Sequence, residues 1–297
     1  MNKIKLITVV GTTASGKSSL GIDLAEHYKT EIVSADSRQV YKHLDLGTGK
    51  VTPEETARVK HHLIDILELN EPFSMAEFQK LAYGAIDGIA DRGMLPIMVG
   101  GTGLYTRSVV EGYKLVDAPP DEKLRCELSK KSIGELRQLL SEYGVTDIPL
   151  ETSERRMIRM IEKRMAGFNA ENDSEPRYDV LQLGLTFDRE TLYRRIAERL
   201  DLRIAEGMIE EVEEVMRLGA TPEFLEKLGL EYRYTYRYLT GGYSSKQEYR
   251  DELYKEICHF AKRQGTWFRK EKNISWLDSS GDCLSQSKRL IDAFLEN

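Results

Sequence analysis

The sequence predicts an α/β fold, in which helices flank a parallel sheet of the P-loop NTPase type and a mostly helical insertion domain is added. Three observations support this prediction. The apolar, β-branched run from Ile4 to Val10 leads into a glycine-rich loop and then into a helical pattern. Strand-like apolar runs then alternate with helical stretches, as in a helix-covered parallel sheet. Between residues 113 and 176, a charged segment with few strand signals interrupts that alternation.

The first half of the core is predicted in chain order from these runs. A helix from about Lys17 to Tyr28 follows the glycine loop, and EIVSA at residues 31–35 is the second predicted strand. A helix from about Ser74 to Arg92 precedes the third predicted strand, MLPIMVGG, at residues 94–101. Strands that alternate with helices in this way form βαβ units, so the sheet is expected to be parallel.

The boundaries of the insertion are predicted from a change in composition. Prolines at 119 and 120 are followed by charged helical segments. We therefore assign residues 113–176 to a helical insertion domain, and residues 1–112 and 177–297 to a P-loop catalytic core with C-terminal helices. The run YDVLQLGLTF, which begins at Tyr178, is expected to return the chain to the sheet, and most of the chain after this run is expected to be helical.

Composition limits the functional classes. The 297 residues are enough for one large domain with an insertion, or for two domains. No apolar run approaches the roughly 20 residues of a membrane span. A net charge of -6 argues against non-specific nucleic-acid binding by the whole surface, although local basic patches can still bind phosphates. Cys126, Cys258 and Cys283 lack C-x-x-C spacing, which predicts neither a disulfide framework nor a zinc site and fits a reducing cytoplasm.

The glycine-rich loop predicts a phosphate site. It satisfies G-x-x-x-x-G-K-[ST] between a predicted strand and a predicted helix, which is the context that this motif requires. Backbone N–H groups around Ser15 and Gly16 are expected to cradle a di- or triphosphate, Lys17 to neutralise it, and Ser18 to ligate Mg²⁺. A plain glycine turn is the alternative. The predicted phosphate-binding residues are Gly11, Thr12, Thr13, Ala14, Ser15, Gly16, Lys17, Ser18 and Ser19.

Two further residues are expected near the phosphates. An ordinary P-loop NTPase has an apolar strand that ends in Asp and helps to hold the metal, but here the candidate strand ends in VGGTGLY. Asp36, at the end of the second strand, would lie at the same sheet edge and suits an acceptor for a nucleophile's proton, or it caps a turn. Thr102 could reach the phosphates from a third strand end, or serve as a turn hydroxyl.

Six sequence blocks then occur in a distinctive order. They are GTTASGKS, SADSRQVYKHLDLGTGK, HHLIDI, RGMLPIMVGGTGLY, ERRMIR and FAKRQGTWFR, and they span nearly the whole chain. Together they resemble the bacterial tRNA dimethylallyltransferases, or tRNA isopentenyltransferases, of the IPP transferase family. The resemblance implies transfer of a dimethylallyl group from dimethylallyl pyrophosphate to N6 of adenosine 37 in the tRNA anticodon loop. The phosphate cradle would then hold a leaving group.

The resemblance also implies roles for individual residues. Asp36 matches the base that accepts the N6 proton, and Thr102 matches a hydroxyl that contacts the pyrophosphate and the target region. Arg203 matches an arginine that binds pyrophosphate, with an i,i+4 salt bridge as the alternative. The target base must be flipped out of its stack to react. The residues implied to face tRNA are Asp36, Ser37, Arg38, Gln39, Thr102, Arg125, Arg155, Arg156, Met157, Ile158, Arg159, Lys262, Arg263, Gln264, Thr266, Trp267 and Arg269.

Some positions remain open or depart from the family. Trp267 is a stacking surface for a base or a core residue. Adjacent His61 and His62 are not expected to bind a metal, and should shape a loop beside the site. Thr12 and Gly49 replace a proline and an alanine, and neither is expected to alter the phosphate geometry. The segment LGLEYRYTYRYL, residues 228–239, stands where many members have G-Y-[RK], so contacts of that motif are not carried over.

Three functions fit these patterns. The first is a tRNA prenyltransferase, and the second is an adenylate-type isopentenyltransferase that acts on a free nucleotide and needs no basic helices facing RNA. The third is a P-loop small-molecule kinase, with Asp36 as base for a hydroxyl. Basic blocks at residues 155–164 and 262–272 favour the first. Its expected partners are the tRNA anticodon stem-loop, dimethylallyl pyrophosphate and Mg²⁺, and we expect a cytoplasmic monomer that binds no membrane.

Overall fold

The computed structural model describes residues 3–115, 121–167 and 174–296. The chain divides into two compact units. Met1–Gly112 and Pro176–Asn297 form the first, here called the core unit, and Tyr113–Glu175 form the second, here called the inserted unit. The prolines at 119 and 120 lie outside the described residues.

The core unit is built on a six-stranded sheet in which every strand pair is parallel. The strand order is β3-β2-β4-β1-β5-β6, which confirms the predicted helix-flanked parallel sheet. The strands are β1 (Lys5–Gly11), β2 (Ile32–Ser34), β3 (His61–His62), β4 (Ile97–Gly100), β5 (Asp179–Thr186) and β6 (Ile274–Asp278).

Thirteen helices complete the described part of the chain. The first four, in the core unit, are α1 (Lys17–His27), α2 (Pro53–Arg58), α3 (Met75–Asp91) and α4 (Gly103–Val110). The inserted unit contains α5 (Glu122–Leu128), α6 (Ile133–Glu142) and α7 (Glu154–Met165). The core unit resumes with α8 (Arg189–Ala205), α9 (Met208–Arg217), α10 (Pro222–Leu228), α11 (Leu230–Leu239), α12 (Lys246–Phe268) and α13 (Cys283–Glu296). None of these helices combines the length and the apolar character needed to cross a bilayer.

The central strand β1 is buried on both faces, as expected of a parallel sheet covered by helices. Ile7 and Val9 pack with Leu24 of α1 on one face, whereas Leu6 packs with Phe78 of α3 on the other. Because parallel strands end at the same edge, the loops after β1, β2 and β4 meet there. This edge carries the glycine-rich loop and the segments that contain Asp36 and Thr102.

Two strands were not expected from the sequence. His61 and His62 form the short edge strand β3 rather than a loop, and β6 lies in a region that was expected to be helical. The His62 ring nitrogen Nε2 lies 2.5 Å from Glu31 Oε2, and Arg92 Nη2 lies 2.6 Å from the same oxygen. His62 therefore belongs to a polar network around the Glu31 carboxylate at the sheet edge.

The inserted unit has its own apolar core. Met157, Ile158 and Ile161 of α7 pack against Leu136 and Leu140 of α6. The Met157 side chain has no exposed surface and that of Ile158 is 7% exposed. The prediction that these two side chains face tRNA is therefore wrong, because they form the apolar face of an amphipathic helix.

A buried carboxylate joins two helices of the inserted unit. Glu162 is 3% exposed and accepts hydrogen bonds at 3.0 Å from both Nε and Nη2 of Arg125. The Arg159 guanidinium binds the same carboxylate. These contacts lower the pKa of Glu162 against the opposing effect of burial. Arg125 and Arg159, both implied to face tRNA, are thus already paired with a carboxylate.

Candidate active site

The loop between β1 and α1 presents backbone N–H groups at the sheet edge. Gly16 caps α1 in the left-handed region (φ 84), and no side chain caps the helix start. Ala14 also has a left-handed backbone (φ 60). The first N–H groups of a helix have no intrahelical partner, so a bound anion can accept from them. The buried Ser15 hydroxyl also has no hydrogen-bond partner among the described residues.

A cavity of about 440 Å³ adjoins this loop. That volume falls within the range of small-molecule sites. Of the residues predicted from the sequence, those that line it are Thr13, Lys17, Ser18, Asp36, Ser37, Arg38, Gln39, Thr102, Arg203, Arg263, Gln264 and Trp267. Residues that line it but were not predicted include Arg199, Glu231, Ile257 and Phe260. The predicted loop residues that do not line it are Gly11, Thr12, Ala14, Ser15, Gly16 and Ser19.

Asp36 makes the turn contact that the sequence offered as one alternative, and it also lies at the cavity. Its Oδ1 accepts a hydrogen bond from the Arg38 backbone N–H at 2.9 Å, which is the expected turn contact. Its carboxylate nevertheless lines the cavity, and Oδ2 has no hydrogen-bond partner among the described residues. The turn therefore fixes one oxygen and leaves the other available to accept a proton.

Gln264 links two of the loops that form the cavity. Its Oε1 accepts from the Thr13 N–H at 2.8 Å, and its Nε2 donates to the Gly101 carbonyl at 2.9 Å. This amide, implied to face tRNA, is therefore engaged in holding the glycine-rich loop against the end of β4. Thr102 adds a weaker link, since its Oγ1 accepts from the Ser37 N–H at 3.4 Å.

Trp267 forms one wall of the cavity. Its ring packs on Gly103 so closely that a Cβ on that glycine would not fit. It also meets Phe268 edge to face, with ring centroids 5.1 Å apart. The indole thus packs on the core and still borders the cavity, so the two roles considered for it are compatible.

One face of α8 supplies a row of arginines. Arg195, Arg199 and Arg203 are spaced four residues apart, which places them on the same side of the helix. Arg195 Nε donates to the Ala14 carbonyl at 2.9 Å, and the Arg199 guanidinium donates to the Thr13 hydroxyl. Arg203 Nη1 lies 3.9 Å from Oε1 of Glu231, on α11. The i,i+4 salt bridge considered for Arg203 is therefore wrong.

Arg195 and Arg199 were not predicted from the sequence. Their regular spacing from Arg203 was the available signal, because a helix that brings one of the three to the loop brings all three near it.

Lys17 lies in a crowded cationic environment. Burial and the charges of Arg199 and Arg203 together lower its pKa from the usual 10.5 to about 8, and the charge of Asp36 opposes these effects. Burial and the charge of Arg203 also lower the pKa of Arg199. Positive charges gathered in this way destabilise one another until an anion binds. The cavity is therefore suited to a highly charged anion such as a diphosphate.

The sequence matches the model of a known protein family. The family model described as IPP transferase matches residues 39–271, which is most of the chain. The chain belongs to the IPP transferase family. That assignment confirms the resemblance found in the sequence blocks.

Curated relatives and solved structures agree with the assignment. The chain is 45% identical to tRNA dimethylallyltransferase 2 of Treponema denticola over 289 residues, which cover 93% of this chain and 96% of the relative. It is 41% identical to tRNA dimethylallyltransferase of Streptococcus agalactiae over 305 residues, with full coverage of both. The full-length tRNA isopentenylpyrophosphate transferase of Bacillus halodurans has a TM-score of 0.75 and 35% identity, with 99% of this chain and 96% of that one covered. A eukaryotic dimethylallyltransferase acting on tRNA has a TM-score of 0.80 and 26% identity, with 99% and 80% covered.

The remaining residues implied to face tRNA in this IPP transferase lie on α12, directly after it at Arg269, or on α7. On α12, the Arg263 guanidinium lies 5.9 Å from the centre of the Phe260 ring, and the Thr266 hydroxyl donates to the Lys262 carbonyl at 3.0 Å. Arg269 Nη2 donates to the Thr266 hydroxyl at 3.4 Å. On α7 of the inserted unit, Arg155 and Arg156 are exposed.

Pyrophosphate binding should take up a proton near pH 8. The pKa of Lys17 is about 8 without ligand, so about half of the lysine is unprotonated there. A bound anion raises this pKa again, because it stabilises the charged form. We expect uptake of about half a proton by Lys17 at pH 8 and much less at pH 6.

Calorimetry in buffers of different ionisation enthalpy measures this uptake. A Lys17→Arg variant is the control, since it keeps the charge but does not titrate near pH 8, and the comparison removes the protons that pyrophosphate itself gains or loses. Equal uptake by the wild type and the variant at pH 8 would show that Lys17 is already protonated there.

Proposed function

We propose that this IPP transferase moves a dimethylallyl group from dimethylallyl pyrophosphate to N6 of adenosine 37 in the tRNA anticodon loop. The product is N6-isopentenyladenosine. One observation carries the proposal: Lys17, Asp36 and Arg199 line the same cavity. The cations that could bind a diphosphate and the carboxylate that could accept an amine proton thus lie in one cavity, whose size suits a small molecule. The names of the relatives support a tRNA substrate.

The cations would act on the leaving group. As the bond between the allylic carbon and the pyrophosphate oxygen breaks, negative charge grows on the diphosphate. Lys17, Arg199 and Arg203 would stabilise that charge from fixed positions, which lowers the barrier more than it tightens substrate binding. No phosphoryl group is transferred, so no ATP is consumed.

Asp36 would act on the nucleophile. The N6 lone pair is delocalised into the adenine ring, so attack is helped when a base accepts the N6 proton. A bond forms between N6 and the allylic carbon, the carbon–oxygen bond breaks, and the proton passes to Asp36 Oδ2. The target adenine can reach this carboxylate after it is flipped out of the anticodon stack. Thr102 lines the same cavity and would contact the diphosphate and the target region.

Mg²⁺ fits the donor set of the cavity. The described residues contain no group of three His, Cys, Asp or Glu side chains able to hold a metal ion. Mg²⁺ commonly keeps several waters and binds substrate phosphates with one or two protein oxygens. The Ser18 hydroxyl, which lines the cavity, would be one such oxygen. Bound Mg²⁺ would neutralise part of the diphosphate charge.

The inserted unit would contribute to tRNA binding. Arg155 and Arg156 are exposed on α7. Exposed arginines suit RNA phosphates, which need no sequence-specific contact. Together with Lys262, Arg263 and the other predicted α12 residues, they would hold the anticodon stem-loop. We propose that the enzyme acts as a monomer in the cytoplasm, where its three free cysteines stay reduced.

Arg156→Ala should weaken tRNA binding and flatten its salt dependence. Loss of one phosphate contact lowers the slope of log affinity against log salt by about one unit. Filter binding over a salt series measures that slope. Arg217→Ala is a matched control, since Arg217 is an exposed arginine on α9 paired with Glu214. If the two variants have the same slope as the wild type, Arg156 makes no phosphate contact.

A transfer assay tests the proposed function. Purified protein, Mg²⁺ and radioactive dimethylallyl pyrophosphate are incubated with an anticodon stem-loop that contains or lacks the target adenosine. We expect label only in the RNA that contains it. Label transferred to free adenosine monophosphate in preference to RNA would favour the adenylate-type enzyme, and phosphoryl transfer from ATP would favour the kinase.

A further inference from the structure

The segment that departs from the family pattern lines the cavity. Residues 228–239 end α10 and form α11. Glu231, in the first turn of α11, is 8% exposed and is one of the cavity-lining residues. A buried carboxylate beside an anion site is costly unless cations compensate it. The cations around Glu231 therefore determine whether its burial is compensated.

Glu231 lies between two arginines. Its Oε1 is 3.9 Å from Nη1 of Arg203, and its Oε2 is 3.8 Å from Nη1 of Arg38. These distances allow ion pairing but exceed those of direct hydrogen bonds. The carboxylate can thus attract both guanidinium groups while their N–H donors remain available to another anion. It also opposes the lowering of the pKa of Arg199.

Two glycines make room for this arrangement. A Cβ at Gly49 would overlap the Arg203 guanidinium, and a Cβ at Gly229 would lie 2.7 Å from Cζ of Arg38. The Arg38 guanidinium also lies 5.7 Å from the centre of the Phe260 ring. Two departures from the family pattern therefore meet here, since Gly49 adjoins Arg203 and the segment around Glu231 adjoins both Arg203 and Arg38.

We propose that Glu231 is a positioning residue that holds Arg203 and Arg38 inside the cavity, ready for the diphosphate and the target nucleotide. The assignment of those two ligands rests on the proposed function. Without the carboxylate, the guanidinium groups of Arg203, Arg38 and Arg199 and the Lys17 ammonium would repel one another. Arg203 would then turn away from the diphosphate position. Glu231 acts through the arginines and does not itself bind the anion.

A double-mutant cycle with inorganic pyrophosphate tests this role. Arg203→Ala should weaken pyrophosphate binding about tenfold in the wild-type background, the scale of a hydrogen bond to a charged group. In a Glu231→Gln background the same change should cost less than about threefold, because Arg203 is already misplaced. Calorimetry measures the four dissociation constants. An equal Arg203→Ala penalty in both backgrounds would overturn the proposal.

The comparison separates positioning from simple charge removal. Loss of a negative charge alone strengthens anion binding but leaves the Arg203 contribution intact, so the Arg203→Ala penalty reports position. Glu226→Gln is the matched control, since Glu226 pairs with Arg233 and Arg237 outside the cavity, and it should leave the penalty unchanged. If Glu231→Gln does not fold, Glu231→Asp carries the cycle. Shortening the side chain withdraws the carboxylate, so the penalty should fall below the wild-type value, and an unchanged penalty would overturn the proposal.

This experiment is independent of catalysis. Pyrophosphate binding can be measured whether or not the wild type transfers a dimethylallyl group. A wild type that binds pyrophosphate but leaves the stem-loop unlabelled contradicts the proposed function. A wild type that labels the stem-loop but has no coupling between Glu231 and Arg203 contradicts the positioning role.

Discussion

Asp36→Asn should lower the rate of dimethylallyl transfer by about 10²-fold or more, which is the usual scale for the loss of a general base. The amide keeps an oxygen that can accept from the Arg38 N–H, so the turn observed at 2.9 Å is preserved. It cannot accept the N6 proton. Single-turnover rates with saturating tRNA measure the chemical step, and filter binding should give a tRNA affinity close to that of the wild type.

The control for Asp36 is another aspartate. Asp23→Asn changes an exposed carboxylate on α1 that pairs with Arg58, so it should retain the wild-type rate. If Asp36→Asn also retains the wild-type single-turnover rate, Asp36 is not the base and its carboxylate serves only the turn.

Arg199→Ala should lower turnover by about 10²–10³-fold, the range found when one stabilising donor is removed from a developing anion. The Arg199 guanidinium binds the Thr13 hydroxyl and faces the cavity, so its charge is held in place before substrate arrives. Arg199→Lys should recover only part of the rate, because an ammonium lacks the planar fork of donors. Rates at saturating dimethylallyl pyrophosphate separate this effect from weaker binding.

Proton uptake on pyrophosphate binding gives a second measure of the effect of the Arg199 charge. Because Arg199 lowers the pKa of Lys17, its removal should raise that pKa and reduce proton uptake on pyrophosphate binding at pH 8. Arg194→Ala changes an exposed neighbour on the same helix and should alter neither quantity. Full turnover in Arg199→Ala would mean that the remaining cations suffice for the leaving group.

The site's location was predictable from the sequence because it depends on local patterns. The glycine-rich motif fixes its own strand–loop–helix context, and the loops after parallel strands must meet at one edge. Asp36 and Thr102 come after two such strands, so a parallel sheet is enough to predict that they lie near Lys17. Three of the six blocks behind the family assignment contain these same loops.

The direction of helical side chains was less predictable. The block ERRMIR was assigned to tRNA as a whole, yet Met157 and Ile158 belong to the apolar core of the inserted unit. Arg199 was missed although it shares a face with Arg203, because which face of α8 turns towards the loop depends on tertiary packing. Gln264 was expected at the RNA surface, but its two long-range hydrogen bonds join loops that are far apart in sequence.

The position of bond cleavage tests the central claim most directly. Dimethylallyl pyrophosphate carrying ¹⁸O in the oxygen between the allylic carbon and phosphorus is incubated with the enzyme and the anticodon stem-loop, and both products are analysed by mass spectrometry. If the phosphate cradle holds a leaving group, all of the ¹⁸O is released in pyrophosphate and the modified adenosine gains only the five-carbon group. Recovery of ¹⁸O in dimethylallyl alcohol, or phosphorylation of the RNA, would mean that a phosphorus–oxygen bond is broken and would contradict the account.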